Sequence, residues 1–293
     1  MLMESDAPGR AWVHDLDVKL REAGRAGYKG IEVFWEDLVY AAKKISPAAQ
    51  YARALCDENG LAVVVLQPFV NYEGLLDRAA HDALAVKLKL WFKVVKVLGS
   101  DLIQVPSQMN SEGTTGNIAK IVSDMKELAE LGLNETPPVR FAYEALSWGA
   151  HLDLWEQVWD VVAQVDLPNF RTVVDTYHIL ARVYGDPTSS SGIQPGGEAA
   201  LSAKLIYVQL SDAACLAPPL SAAHPYHDAA QKPTMQRRAG GTCPSTPSRG
   251  SCCGTWASAA GSRTMGNPGP DTPRAHAERG IKSWETLLRR LQG

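Results

Sequence analysis

The chain has 293 residues, of which 45% are apolar and 21% charged, a composition typical of a globular protein with a large buried core. Its 29 Lys and Arg residues against 32 Asp and Glu give a net charge of −3, so no basic excess attracts phosphate backbones or anionic lipid. We therefore expect neither nucleic acid nor a membrane as a partner. Five cysteines, an odd number, do not predict a disulfide framework, and the acidic start is not typical of a secretory signal. A cytoplasmic location is expected.

Short apolar runs alternate along the chain with amphipathic segments. Six runs predict strands: Gly30–Trp35, Ala62–Phe69, Leu102–Pro106, Arg140–Leu146, Arg171–His178 and Leu205–Asp212. Helical periodicity is found at His14–Ala26, Pro47–Asn59, Arg78–Leu98, Thr114–Leu131, Leu154–Val165 and Arg274–Leu291. Strands that are apolar along their whole length are typical of a parallel sheet covered by helices. The alternation predicts an α/β fold, either a (β/α)8 barrel or a doubly wound sheet.

The polar residues of these runs favour the barrel. In nearly every run they stand at the carboxyl-terminal end, as do Gln67, Gln104, Glu144 and Gln209. Barrel enzymes draw functional side chains from many strands at that rim, whereas a doubly wound sheet concentrates them at one switch point. No glycine-rich phosphate-binding fingerprint follows any run. We therefore predict a TIM-type (β/α)8 barrel over residues 9–293.

Two stretches depart from the alternation. Met1–Arg10 has no strand character, and Gln236–Pro270 is rich in Gly, Ser, Thr and Pro and contains three of the five cysteines. Composition alone predicts an irregular insertion at 236–270. A two-base shift of the reading frame is a second explanation, because codons for Cys, Trp and many Ser begin with T and would then encode apolar residues. On either explanation we expect the barrel to be incomplete at its first and eighth strands.

Glu144, Asp175 and Gln209 end three successive predicted strands. If these strands are neighbours, their ends converge, and an oxygen-rich ligand set suits Mg²⁺, Mn²⁺ or Co²⁺ better than a structural zinc. The alternative for each carboxylate is a helix cap or an ion pair with a lysine. His178 follows Asp175 in the spacing Asp-x-x-His, where the imidazole is either a general base or a hydrogen-bonded core residue.

Four further residues are candidates for substrate contact. Gln67 and Tyr72 lie in a segment that either contacts a hydroxylated substrate or is an ordinary connection between a strand and a helix. His151 could reach the same rim. His227 is interpreted as a substrate-facing loop residue, because Pro225 opposes the helix that would align it with a neighbouring histidine on a metal ion.

Several stretches of the sequence resemble the xylose isomerase-like barrel superfamily and, more closely, the fungal 3-dehydroshikimate dehydratases. The most specific are GRAWVHDL, GYKGIEVFWEDL, LQPFxxYEGL, FAYEALSWGAH, VVDTYHI, YVQLSDA and HPYHD. The resemblance implies a divalent metal ion held by Glu144, Asp175 and Gln209, with His178 as the catalytic base. It implies dehydration of a small molecule, 3-dehydroshikimate, to protocatechuate in quinate and shikimate catabolism. The fourth ligand of the family, a Glu on strand eight, has no counterpart here, which implies impaired activity.

Two alternatives remain open. A sugar or sugar-phosphate isomerase or epimerase would use the same metal and the same enolisation. A barrel-derived pseudoenzyme would keep the substrate contacts without turnover. Metal content and protocatechuate formation distinguish the three, and the sequence leaves the oligomeric state open.

Overall fold

The computed structural model describes residues 15–43, 47–179 and 182, the strand at residues 205–209, and the helical residues 274, 277, 278, 281, 282, 285 and 289. These residues fall into two compact units, and the second, Val63–Gly185 with Gln194–Gln209, contains β2 to β6 except the first residue of β2. Met1–Arg10, Gln236–Pro270 and His227 lie outside the described residues, so the expectations for them stay predictions. Among the described residues, no helix has both the length and the apolar character that crossing a membrane requires.

The first unit contains four described elements, α1 (Leu16–Ala26), β1 (Gly30–Phe34), α2 (Trp35–Ala42) and α3 (Ala48–Glu58). Helix α1 ends at Gly27, whose φ of 94° is left-handed and therefore favours glycine. Helix α2 was not predicted, because it follows β1 directly without a turn residue. Its buried residues are Asp37, Leu38 and Ala41.

The second unit repeats a strand followed by a helix. Its elements are β2 (Ala62–Gln67), α4 (Arg78–Val97), β3 (Leu102–Pro106), α5 (Ile118–Leu133), β4 (Arg140–Glu144), α6 (Trp155–Val165), β5 (Phe170–Asp175), α7 (Thr176–Ile179) and β6 (Leu205–Gln209). The five strands pair in chain order, and every pair is parallel. The Asp77 side chain starts α4 by accepting hydrogen bonds from the N–H groups of Ala79 and Ala80.

Six predicted strands are confirmed, five of them with a shifted end, whereas Leu102–Pro106 is observed as predicted. The prediction for Arg171–His178 was too long, because β5 ends at Asp175 and α7 begins at the next residue. The Val, Thr and Tyr residues of this stretch favour a strand. However, a strand needs a neighbouring strand to satisfy its backbone hydrogen bonds, and the last residue pair between β5 and β6 is Asp175 with Gln209. The strand therefore ends at Asp175. His178 therefore lies on a helical turn.

The core of the sheet is an apolar layer with one residue from each of four strands. Val65, Leu102, Ala142 and Val173 form a buried cluster on β2 to β5. Each of these side chains is less than a tenth exposed, so their packing removes apolar surface from water and stabilises the sheet by about 25 cal/mol per Å² buried. This layer determines which face of each strand is interior.

The first unit contains a buried ion pair between α1 and α2. Lys19 Nζ lies 2.8 Å from Asp37 Oδ1 and 3.0 Å from Oδ2, and both side chains are less than a tenth exposed. Burial raises the pKa of the Asp37 carboxyl, and the positive charge of Lys19 opposes that rise. Each charge therefore depends on the other for its place in the interior.

We expect Asp37→Asn to lower the free energy of unfolding by roughly 3 kcal/mol, because the Lys19 ammonium loses its counter-charge in a buried position. Denaturant unfolding of the full chain measures this change. Asp57→Asn is the matched control, since Asp57 pairs with Arg53 at the exposed surface of α3 and should affect stability far less. Equal losses in the two variants would contradict the prediction.

Candidate active site

Polar side chains occupy the carboxyl-terminal ends of neighbouring strands in the second unit. Alternate residues of a strand share a face, so the residues two positions beyond the buried apolar layer lie on the same face as that layer. These residues are Gln67, Gln104, Glu144 and Asp175. Gln104 is 1% exposed and Glu144 is 5% exposed, so both are held in the interior. The parallel sheet thus brings polar groups from successive strands to one edge.

The carboxylate of Glu144 is contacted through both of its oxygens. Gln104 Nε2 donates a hydrogen bond to Glu144 Oε2 at 2.6 Å, and His178 Nε2 lies 3.6 Å from Oε1. A buried carboxylate without such partners is strongly destabilising, which explains why β3 supplies an amide donor here.

Glu144, Asp175 and His178 form a group that could hold a metal ion. Each offers one ligand atom, and these atoms lie within 4.8 Å of one another. The structure therefore brings together three of the four residues that the sequence predicted as metal ligands or base. The fourth, Gln209, pairs with Asp175 in the β5–β6 register, which places its backbone beside Asp175.

The imidazole of His178 is held by the loop that follows β4. The Ser147 N–H donates to Nδ1 at 3.2 Å, Ser147 Oγ lies 3.3 Å from the same nitrogen, and the Trp148 ring contacts the imidazole edge-on with centroids 4.7 Å apart. The Ser147 N–H, a donor to Nδ1, favours the tautomer with the proton on Nε2. The Ser147 hydroxyl oxygen can instead accept from a protonated Nδ1, which leaves the lone pair of Nε2 available. Ser147 therefore influences which nitrogen can bind a metal ion or a proton.

The loops that follow β3 and β4 are joined close to the site. The Ser107 N–H donates to the Glu144 carbonyl at 2.8 Å, and Ser107 Oγ accepts from the Leu146 N–H at 3.1 Å. A Cβ at Gly149 would meet the Leu152 carbonyl oxygen at 2.1 Å and Ser107 Oγ at 2.8 Å, so the turn accepts only glycine. These contacts hold Ser147 at a defined position.

The predicted substrate contacts have different surroundings. Gln67 ends β2 and is 8% exposed. Tyr72 is fully buried, with its ring 4.7 Å from that of His81, and this burial does not support a contact with substrate. His151 is half-buried, and its Nε2 lies 2.8 Å from the hydroxyl of Thr114 in the loop after β3.

Sequence reasoning did not predict three residues of the site. Gln104 was recognised as a polar strand end but not as the partner of Glu144. Ser147 and Trp148 lie within the stretch FAYEALSWGAH, where their spacing from Glu144 gives no indication of His178. The signal that could have found Gln104 is its alternation with Leu102, which places both residues on one face.

A second group with metal-ligand geometry consists of His81, Asp124 and Glu127. Asp124 is already paired, because Lys120 Nζ lies 2.6 Å and Arg78 Nη1 lies 3.2 Å from its Oδ1. Arg78 Nη2 also lies 2.8 Å from His81 Nδ1. The positive charges of Lys120 and Arg78 disfavour the binding of a metal ion beside Asp124. We therefore interpret this group as an ion-pair cluster between α4 and α5.

The parallel α/β sheet with acids and a histidine at its carboxyl edge defines the class of protein. The chain belongs to the xylose isomerase-like TIM barrel family, which it matches over residues 20–225. Among its relatives, the 3-dehydroshikimate dehydratase of Neurospora crassa is 36% identical over an alignment of 338 residues that covers 100% of this chain and 94% of that protein. The 3-dehydroshikimate dehydratase of Pseudomonas putida is 34% identical over 203 residues, which are 69% of this chain but 29% of that protein.

Solved structures show the same fold. A fusion protein of a xylose isomerase-like TIM barrel and a 4-hydroxyphenylpyruvate dioxygenase has a TM-score of 0.68 at 27% identity, over 95% of this chain and 42% of that one. The IOLI protein, crystallised with a zinc atom, has a TM-score of 0.65 at 14% identity over 94% of both chains. At that identity the second likeness concerns the fold alone.

We expect Ser147→Ala to shift His178 toward the tautomer protonated at Nε2, because the variant loses the hydroxyl acceptor and keeps the backbone N–H donor. The ¹⁵N resonances of the imidazole measure this shift. Ser111→Ala, at an exposed position of the loop after β3, is the control and should leave these resonances unchanged. Identical His178 spectra for wild type and Ser147→Ala would show that the hydroxyl does not influence the tautomer.

Proposed function

We propose that this chain catalyses the dehydration of 3-dehydroshikimate to protocatechuate with a divalent metal ion. The observation that carries the proposal is the 36% identity to a 3-dehydroshikimate dehydratase over the whole chain. The convergence of Glu144, Asp175 and His178 supports it, since these residues would then form the reaction centre. The substrate is accordingly a small molecule, and nothing in the charge of the chain attracts nucleic acid.

The donor set fits a divalent metal ion. Two carboxylates, Glu144 and Asp175, would supply oxygen ligands, and Gln209 would add an amide oxygen from the neighbouring strand, a set that suits Mg²⁺, Mn²⁺ or Co²⁺. A bound ion supplies Lewis-acid polarisation of a substrate carbonyl. Residues 236–270 contain no Asp or Glu that could act as a further ligand, so we expect weaker metal binding than in a relative with a complete set.

We assign the removal of the substrate proton to His178. A general base removes the proton next to the polarised carbonyl, and imidazole is suited to this near neutral pH. The resulting imidazolium would return that proton to the substrate hydroxyl as its C–O bond breaks, so that the hydroxyl leaves as water. The Nε2 atom of His178 would take that proton only in the tautomer whose Nδ1–H donates to Ser147 Oγ, and in that tautomer Nδ1 no longer accepts from the Ser147 N–H. Gln104 would hold the Oε2 side of Glu144 and keep Oε1 on the His178 side.

The direct test is an assay of the purified full chain with 3-dehydroshikimate and added Mg²⁺, Mn²⁺ or Co²⁺. We expect protocatechuate, detected by its ultraviolet absorbance, at a rate below that of an intact relative, and we expect a chelator to abolish it. Metal binding without protocatechuate would favour a sugar isomerase or epimerase, and absence of both would favour a pseudoenzyme. Turnover that is unaffected by chelation would contradict the metal-dependent proposal.

The roles of Asp175 and His178 can be distinguished by separate measurements of metal and turnover. We expect Asp175→Ala to weaken metal binding by more than about 100-fold, because it removes a direct ligand. His178→Ala should retain the metal but lose about 10²- to 10⁴-fold in kcat, the usual contribution of a general base. Asp101→Asn is the matched control, since Asp101 pairs with Arg140 at the other end of the sheet. Loss of metal in His178→Ala, with normal kcat once metal is restored, would reassign His178 as a ligand.

A further inference from the structure

Glu73, in the loop after β2, is a fully buried carboxyl group outside the metal-ligand group. It is 1% exposed, and two donors converge on its Oε1, the backbone N–H of Gln108 at 2.5 Å and the hydroxyl of Tyr143 at 3.0 Å. Its Oε2 is also buried and has no hydrogen-bond partner within the described part of the chain. The two oxygens of one carboxyl therefore have unlike environments.

An uncharged carboxylic acid fits these environments better than a carboxylate. In the acid, Oε1 is the carbonyl oxygen that accepts both hydrogen bonds, and Oε2 carries the proton. In the carboxylate, the buried Oε2 would hold negative charge without a hydrogen-bond donor from the described residues, which is strongly unfavourable. Consistent with this, burial raises the pKa of the Glu73 carboxyl to about 7, although hydrogen bonds from the backbone N–H groups of Glu73 itself and of Gln108, and from the Tyr143 hydroxyl, oppose the rise.

Two titratable groups face Glu73. Tyr143, on β4, has a pKa well above its ordinary value, because it is buried and lies beside Glu73, so it remains an uncharged donor. Asp124, on α5, adds negative charge that further raises the pKa of Glu73. Lys120 and Arg78 pair with Asp124 and reduce that influence.

Glu73 is connected to the candidate active site through Gln108. The Gln108 side chain donates from Nε2 to the Glu73 carbonyl at 3.0 Å, and the Gln108 carbonyl accepts from the Ala150 N–H at 2.7 Å. On the other side of Ser147, the Leu146 N–H donates to Ser107 Oγ at 3.1 Å. The segment 107–108 therefore holds the loop after β4 on both sides of Ser147, the residue that contacts His178.

We propose that Glu73 is a positioning residue that, while uncharged, fastens Gln108 and thereby holds Ser147 against His178, and that its ionisation loosens this loop. The proposal rests on the proposed function only in giving His178 a substrate to act on. Its pH dependence has a defined sign. When the loop is open, Glu73 has the ordinary glutamate pKa of about 4.3. Between about pH 4.3 and about pH 7, the carboxyl is therefore protonated in the closed state and ionised in the open state. The loop is therefore most stable at low pH and loses stability through this interval.

Amide hydrogen exchange of the full chain, at about pH 6 and about pH 8.5, tests the proposal at the amides of Gln108, Ser147 and Ala150. After correction for intrinsic exchange rates, we expect wild-type protection to fall about tenfold between these values. Glu73→Gln keeps an acceptor at Oε1 and cannot ionise, so its protection should change by less than about twofold. Glu112→Gln, an exposed substitution in the loop after β3, is the control and should behave like wild type.

Three outcomes would overturn the proposal. Equal pH dependence in wild type and Glu73→Gln would show that Glu73 does not ionise in this range. A response at Gln108 without one at Ser147 would show that Glu73 does not position the loop. Failure of Glu73→Gln to fold would show that an uncharged side chain is not tolerated. Independently of any variant, a ¹³C-glutamate-labelled wild-type chain must show one carboxyl that titrates near pH 7, as expected for Glu73. None of these readouts needs turnover, so they remain decisive even if the chain lacks dehydratase activity.

Discussion

The parallel register of β3, β4 and β5 is the constraint on which the candidate active site depends. It pairs Pro106 with Glu144 and Glu144 with Val173, so that the ends of the three strands lie side by side. Because side chains alternate along a strand, a slip of β4 by one residue would turn Glu144 to the opposite face and place Tyr143 at the site in its stead. The buried apolar layer opposes that slip, because its side chain on the shifted strand would have to leave the interior at the same time.

Three buried acidic side chains are accommodated in the interior in three different ways. Asp37 is paired with the cation of Lys19, which stabilises the charge within the first unit. Glu73 has two donors on one oxygen and none described on the other, an arrangement that suits an uncharged acid. Glu144 has an amide donor from Gln104 on one oxygen and an imidazole near the other. Only the last arrangement leaves a carboxylate next to further ligand atoms, which is what binding a cation requires.

Polar contacts join the loops of the second unit to one another. Ser107 and Gln108 bind the loop after β4 from both sides, and Glu73 binds Gln108 in turn. Such a network can hold a histidine to within a narrow range of positions, as general-base catalysis requires.

The sequence by itself determined where the strands lie, with ends that the structure shifted by a few residues. Strands buried on both faces are marked by continuous apolar runs, and the last polar residue of each run, such as Glu144 or Asp175, is readable without coordinates. It could not determine α2 or α7, because both helices follow a strand without a turn residue and consist partly of residues that favour strands.

Tertiary structure alone decided the contacts. Gln104 meets Glu144 across 40 positions of the chain, and Ser147 meets His178 across 31, distances over which local pattern carries no information about partners. Tyr72 illustrates the same limit, since only the structure shows that its ring is buried and lies 4.7 Å from that of His81. Local propensity and periodicity act within a few residues, whereas strand register and loop packing join residues that only the assembled sheet brings together.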